Sequence, residues 1–318
     1  MNSVLAINTF RQQQYIGFKK INRTRAVLNR GHAVDLVHRF YGPSPAPDSV
    51  PIIVLHGFLD CKSNWQNMCK RITAHTNRTL IAVDARNHGD SPHNDSHDYF
   101  DLAADVSKLI TDLSVKKSII IGHDMGGKTG MVLALTEPSK VESLIVVDIS
   151  PVSTSSTLKN LYPKVLDVMT DVNFTATELN KAQMEAKNVI MENESFRSQE
   201  DIYFILMNIG RLPDKTYGWK CNLEALKNNF DFIASFPIDV LIGSNYPRPT
   251  LFIGGSRSTF IPVDDLNGIQ RFFPQSVLHY IKGAGHNVHA ENPNAFFNVV
   301  KDFLAFHERR KSSSLIVK

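Results

Sequence analysis

Four stretches of this chain carry residue types whose spacing can do chemistry. In Gly122-His123-Asp124-Met125-Gly126, glycines stand two positions either side of an aspartate, after the apolar run Ile119-Ile120-Ile121 and before a helical pattern. A strand that turns sharply into a helix needs glycine near the turn, where a Cβ would collide, and it presents the residue at its apex as a nucleophile. That residue is usually serine; here it is Asp124. Leu55-His56-Gly57-Phe58 ends an earlier apolar run, from which a loop can donate a backbone N–H to an oxyanion. The expected donors are the amides of Phe58 and Met125, and His56 is expected to hold this loop by hydrogen bonds. His286, in the glycine-turned stretch KGAGHNVHAENP, is the expected base; His289, His88 and His123 are expected to be structural.

The acid that would orient His286 is less obvious. The loop GGSRSTFIP offers Ser256 and Ser258 and no carboxylate until Asp264. Asp148, in VVDISP, ends the apolar run that follows the elbow and can orient an imidazole and stabilise its charged form. Its competing role is to bond loop amides, and Glu224 in CNLEAL is a further candidate.

An aspartate at the elbow changes the bond that can be broken. Attack on an acyl carbon would give a mixed anhydride with negative charge beside the oxyanion site, whereas displacement at an alkyl carbon gives an ester that His-activated water can cleave. Epoxide hydrolases and haloalkane dehalogenases share an elbow of this GHD type. Met125 stands where dehalogenases commonly place tryptophan, and Tyr162, Tyr203 and Tyr217 fall where epoxide hydrolases carry lid tyrosines, although tyrosine is also a common packing residue.

The elements that must position these residues alternate in kind. Apolar runs such as PIIVLHG, TLIAVD, SIIIGHD and VESLIVVDIS read as buried strands, and between them DYFDLAADVSKLITDL places Leu102, Val106, Leu109, Ile110 and Leu113 on one helical face. This predicts an α/β class, a mostly parallel central sheet with helices on both faces. After Pro151 the alternation stops and segments turn helical, so residues 152–245 are expected to be an inserted helical lid. The core is expected at 31–151 and 246–310, with 311–318 a frayed tail.

Composition narrows the function. Residues 1–30 hold six Lys/Arg and no acid; removing them leaves 29 basic against 31 acidic residues, which withdraws electrostatic support for nucleic-acid binding. The same arginine-rich, acid-free segment predicts a mitochondrial presequence and a matrix location. No run is long and apolar enough to span a membrane. Cys61, Cys69 and Cys221 are an odd, widely spaced set without metal-ligand pattern and read as reduced packing residues. No cofactor or metal is expected.

From about Val34 to Phe306 the sequence resembles the alpha/beta-hydrolase domain-containing protein 11 family of mitochondrial hydrolases. The resemblance rests on LHGFLDCKSNW, VDARNHGDSPH, GGKTGMVLALTEP, LIVVDISPV, WKCNLEAL, PTLFIGGSRSTFI and GAGHNVHAENP. It implies an α/β-hydrolase fold with a helical lid, hydrolysis of acyl esters including acylglycerols, a small lipid-like or apolar substrate as the partner, and an acid and base matching Asp148 and His286. Related yeast proteins use the same apparatus for acyl transfer to alcohols. At Asp124 the family has serine. Three readings follow: a lipid-ester hydrolase, an epoxide-hydrolase-like enzyme forming an alkyl ester on Asp124, and an impaired pseudohydrolase that binds an acyl ligand or partner.

Overall fold

The structure is a computed structural model, and it describes residues 32–192 and 199–316. The expected presequence, residues 1–30, lies outside the described residues. The first half of the core runs β1 (His38–Tyr41), β2 (Ile52–Leu55), α1 (Gln66–Thr76), β3 (Leu80–Val83), α2 (Tyr99–Asp112), β4 (Ser118–His123), α3 (Met125–Thr136) and β5 (Val141–Val147). Then come α4 (Ser156–Thr170), α5 (Leu179–Glu192), α6 (Gln199–Leu206), β6 (Ile209–Arg211), β7 (Tyr217–Trp219), α7 (Leu223–Asn228), α8 (Phe230–Ala234) and α9 (Ile238–Leu241). The core resumes with β8 (Thr250–Gly255), α10 (Leu266–Phe272), β9 (Ser276–Ile281), α11 (Val288–Glu291) and α12 (Pro293–Ile316).

Seven strands form one sheet in the order β1-β3-β2-β4-β5-β8-β9. Only the edge pair β1–β3 is antiparallel. Because side chains alternate across a strand, each buried run feeds two cores. Ile53, Ile81, Ile120 and Leu144 pack with α2 and α3. Their neighbours Ile52, Leu80, Ile121 and Ile145 pack on the other face with Met68 and Ile72 of α1 and Phe296 and Val300 of α12. In α2, Leu102, Val106, Leu109 and Ile110 are all buried, each worth about 2 kcal/mol in transfer free energy. Its first turn is closed by Asp98, whose side chain accepts from the N–H groups of Phe100 and Asp101 at 2.8 and 2.9 Å.

Two expectations are corrected. The inserted segment is not helical throughout: β6 and β7 pair as an antiparallel hairpin in which Ile209 faces Trp219. Ile209 lies in a small separate core with Ala182, Ala186 and Val172, so tertiary packing converts the end of an apolar run that reads as helix into strand. The tail expected to fray at 311–318 continues α12 as helix to Ile316.

The sharp turn between β4 and α3 depends on two missing Cβ atoms. A Cβ on Gly122 would overlap the Gly126 carbonyl, and one on Gly126 would overlap the Leu55 carbonyl at the end of β2. Since the obstacle is backbone of the central sheet, no rotamer change can relieve it. Gly126→Ala should therefore lower stability by on the order of 3 kcal/mol. Urea unfolding would show this as a lower midpoint with unchanged slope.

Candidate active site

The elbow carries Asp124 at its apex with φ of 46°, a conformation non-glycine residues rarely hold. It is fixed from both sides: the Asp124 N–H donates to the Val147 carbonyl at 3.0 Å, and the Gly126 N–H to the His56 carbonyl at 3.1 Å. His56 braces the facing loop, its Nδ1 against the Gly57 carbonyl at 2.7 Å and its Nε2 accepting from the Ala85 N–H at 3.0 Å. The Phe58 N–H donates to Asp124 Oδ2 at 3.1 Å. A carboxylate oxygen of the elbow residue thus occupies one of the two backbone donors expected to hold an oxyanion.

Asp148 follows β5, also at positive φ (50°). Its Oδ2 accepts from His286 Nδ1 at 2.8 Å, so the structure joins the two residues paired by sequence. Glu224 opens α7 and Asp264 lies in the short turn before α10; neither makes this bond. The GGSRSTFIP loop contributes donors: the Gly255 N–H bonds Asp148 Oδ1 at 2.9 Å and the Ser258 hydroxyl bonds Oδ2. Three donors hold the carboxylate in place, as a buried polar group requires. The His286 ring stacks on Phe260 at 3.8 Å, and the His123 ring lies tilted beside it at 4.7 Å.

Asp124, His286 and His123 line one cavity of about 380 Å³. Its walls include Phe58, Leu161, Tyr162, Val165, Phe204 and Phe260, four of them from the inserted helices, and Arg257 and Glu291, an ion pair at 2.9 Å, also line it. An enclosure of this size and lining suits an apolar chain ending in one reactive polar group. Of the lid tyrosines, Tyr162 lines the cavity; Tyr203 is exposed on α6 and Tyr217 lies in the hairpin.

The charges are arranged around Asp124. Burial works to raise its pKa, but His286, His123, Lys128 and the Phe58 amide outweigh it and hold the carboxyl below its usual range. It is therefore ionised at neutral pH. Lys128, one turn into α3, is buried, and desolvation brings its pKa down to about 8 against the pull of Asp124. Its ammonium donates to the carbonyls of Ile233, Ala234 and Ser235 at 3.1, 2.9 and 3.3 Å, closing the end of α8.

Sequence reasoning missed Lys128, Phe260 and Ser258 as neighbours of the site. Lys128 alone offered a signal, being a charge inside an otherwise apolar helix. His123, His88 and His289 are buried. His123 borders the cavity and its Nε2 faces the His286 carbonyl at 3.0 Å; His289 stacks on Trp65 at 4.0 Å; His88 Nε2 accepts from the Leu59 N–H at 3.3 Å. Cys61, Cys69 and Cys221 are buried free thiols whose pKa burial raises to about 11, 12 and 12. No group of ligands that could hold a metal occurs among the described residues, and no helix there is long and apolar enough to cross a membrane.

The family described as alpha/beta hydrolase fold matches residues 50–293. The sn-1-specific diacylglycerol lipase ABHD11 of Danio rerio is 38% identical over 263 residues, 81% of this chain and 79% of that protein. A probable alcohol acetyltransferase of Saccharomyces cerevisiae is 31% identical over 273 residues, 81% of this chain and 78% of that one. Among solved structures, a marine microorganism esterase superposes with a TM-score of 0.75 at 30% identity, covering 85% of this chain and all (100%) of the esterase.

The buried histidines make stability depend on pH. Burial lowers the pKa of His88 to about 3 and that of His123 to about 4. Below the unfolded value near 6.5 the unfolded chain takes up protons that the native one refuses, so stability falls as pH drops from 6.5 towards 4. At pH 5 each such group should cost roughly 2 kcal/mol. Thermal melts from pH 7.5 to 4.5 should show a steep loss, with a shallower slope in His88→Asn.

Proposed function

The chain belongs to the α/β-hydrolase fold family, and within it to the alpha/beta-hydrolase domain-containing protein 11 family; from that premise we propose that it hydrolyses carboxylic esters of acylglycerol-like lipids. The observation that carries the reading is the Asp148–His286 pair at 2.8 Å on the wall of a cavity lined by apolar side chains. The diacylglycerol lipase and esterase named above have a sequence and fold similar to this chain.

In this reading His286 is the general base and Asp148 holds it. Nδ1 donates to Asp148, so Nε2, on the opposite edge of the ring, takes the proton from a water that attacks the ester carbonyl. Asp148 stabilises the imidazolium, which then protonates the leaving alcohol. The Met125 amide stabilises the oxyanion, while the Phe58 amide is shared with Asp124. The lid walls take the acyl chain.

Asp124→Ser restores a hydroxyl at the apex and releases the Phe58 amide. A single oxyanion donor is worth about a hundredfold in rate or more. Hydrolysis of 1,2-dioctanoylglycerol should rise about a hundredfold in Asp124→Ser, and His286→Ala should abolish it in both backgrounds. Failure of the native and serine proteins alike to cleave the glycerol ester would sink the ester reading.

A location in the mitochondrial matrix completes the proposal, resting on the six basic residues and missing acids of residues 1–30. Fusion of residues 1–30 to a fluorescent reporter should direct it to mitochondria; a diffuse cytosolic signal would remove this part.

A further inference from the structure

We propose that Asp124 is itself a nucleophile, attacking an electrophilic alkyl carbon of an apolar substrate such as a fatty epoxide, and that the enzyme turns over through an alkyl ester on this side chain. The proposal uses the Asp148–His286 pair assigned above but is independent of ester hydrolysis. Three observations carry it.

The first is the placing of the two carboxylate oxygens. Oδ2 accepts the Phe58 N–H at 3.1 Å, the carboxylate's one hydrogen bond among the described residues, and Asp124 faces the cavity. One oxygen is fixed and the group is oriented as a nucleophile must be. The second is the charge state. His286, His123 and Lys128 surround Asp124, and it stays an anion while 3% exposed. A buried carboxylate with few hydrogen bonds is more nucleophilic than one in water. The third is the conservation of charge through the step. Attack on an alkyl carbon spends the negative charge of Asp124, whereas acyl chemistry would build a second anion where Oδ2 already sits. The backbone donor that repels neither partner in the first reaction is contested in the second.

The bonds balance. A lone pair on Asp124 Oδ1 forms a C–O bond to one epoxide carbon as the ring C–O bond breaks. The ring oxygen leaves with that electron pair and takes the phenol proton of Tyr162, whose ring lines the same cavity 5.5 Å from that of Phe58. Water then gives a proton to His286 Nε2 and adds to the Asp124 ester carbonyl. The carbonyl oxygen, now an oxyanion, is Oδ2, already on the Phe58 amide. Collapse expels the alcohol oxygen, which takes the proton from His286. The new carboxylic acid ionises, and its proton returns to the Tyr162 phenolate. The sum is epoxide plus water to a vicinal diol.

The carboxylate thus fits both steps without movement of the Phe58 loop. In the first step Oδ2 anchors the nucleophile, and in the second the same contact stabilises the tetrahedral intermediate.

The test uses the full chain and 1,2-epoxydecane. His286→Ala blocks the second step, so it should accumulate one hydroxydecyl adduct per chain, the mass of one whole epoxide, by intact-mass measurement, mapped by peptide fragmentation to Asp124. The adduct should be absent from Asp124→Asn/His286→Ala. Should the His286→Ala chain not fold, the native protein serves: single turnover in heavy-oxygen water should leave one labelled oxygen in the Asp124 carboxylate. An unmodified His286→Ala chain that folds, an adduct elsewhere, or an unlabelled Asp124 overturns the proposal. Dioctanoylglycerol cleavage measured on the native and Asp124→Ser chains keeps the two readings apart: ester cleavage without an adduct sinks only this one, and an adduct without ester cleavage by either of those chains sinks only the other.

Discussion

The close approach of backbone to backbone at the elbow is the constraint on which the site depends. With no Cβ at Gly126, the first turn of α3 sits against the carbonyl end of β2, and the Gly126 N–H reaches the His56 carbonyl at 3.1 Å. That contact brings two loops together that are distant in sequence, so that the Phe58 amide faces the apex residue. The central strands supply the rigidity: β4 is buried at every position and is paired on both sides, by β2 and β5. The positive φ of Asp124 and of Asp148 is held by that sheet, since each amide is bonded to the neighbouring strand, to Val147 at 3.0 Å and to Ile253 at 2.8 Å. Strain of this kind costs about 1–3 kcal/mol per residue and survives only where surrounding structure determines the backbone.

Charge is the second layer. A buried carboxylate is unfavourable unless something compensates for lost water, and here compensation comes from the Phe58 amide, the Lys128 ammonium and the polar imidazoles of His286 and His123. Lys128 links this to the lid. Its ammonium is enclosed by the carbonyls at the end of α8 and lies 5.4 Å above the Tyr99 ring, so the cation that offsets Asp124 also ties an inserted helix to the core. Tyr99 adds to the same attachment through its hydroxyl, which donates to the Ile233 carbonyl at 2.6 Å. Removing either charge would leave the other buried with fewer partners, so the state of the apex and the seating of the lid are coupled.

Much of this was legible in the sequence, for reasons that differ by element. Buried parallel strands are short apolar runs, and those at Ile52–Leu55, Ser118–His123 and Val141–Val147 lie within the runs read as strands. The amphipathic face of α2 follows from spacing alone. Asp148 could be singled out because the loop expected to carry an acid has only serines, and the structure gives that loop its role: Ser258 and the Gly255 amide hold the carboxylate it lacks. What could not be read depends on distant contacts. The β6–β7 hairpin forms against Ala182 and Ala186 of α5, the stacking of Phe260 on His286 joins residues 26 apart, and Lys128 meets carbonyls more than a hundred residues away. No local period encodes such pairings.

The replacement at the apex has an electrostatic consequence larger than its change in shape. A serine is neutral until His286 takes its proton, so negative charge arrives at the oxyanion donors only in the transition state, where it accelerates the reaction. Asp124 puts that charge there permanently, and the Phe58 amide is already engaged in the resting protein. Interaction made equally in ground and transition states does not lower a barrier. The same donor therefore changes function with the chemistry asked of it. For an acyl substrate it is partly spent before reaction begins; for an ester formed on Asp124 itself it meets the oxygen that becomes negative when water adds. His286 and Asp148 serve either route, because both require a base for water and a carboxylate to hold that base. The identity of one apex residue thus decides which electrophile the unchanged remainder of the site is suited to.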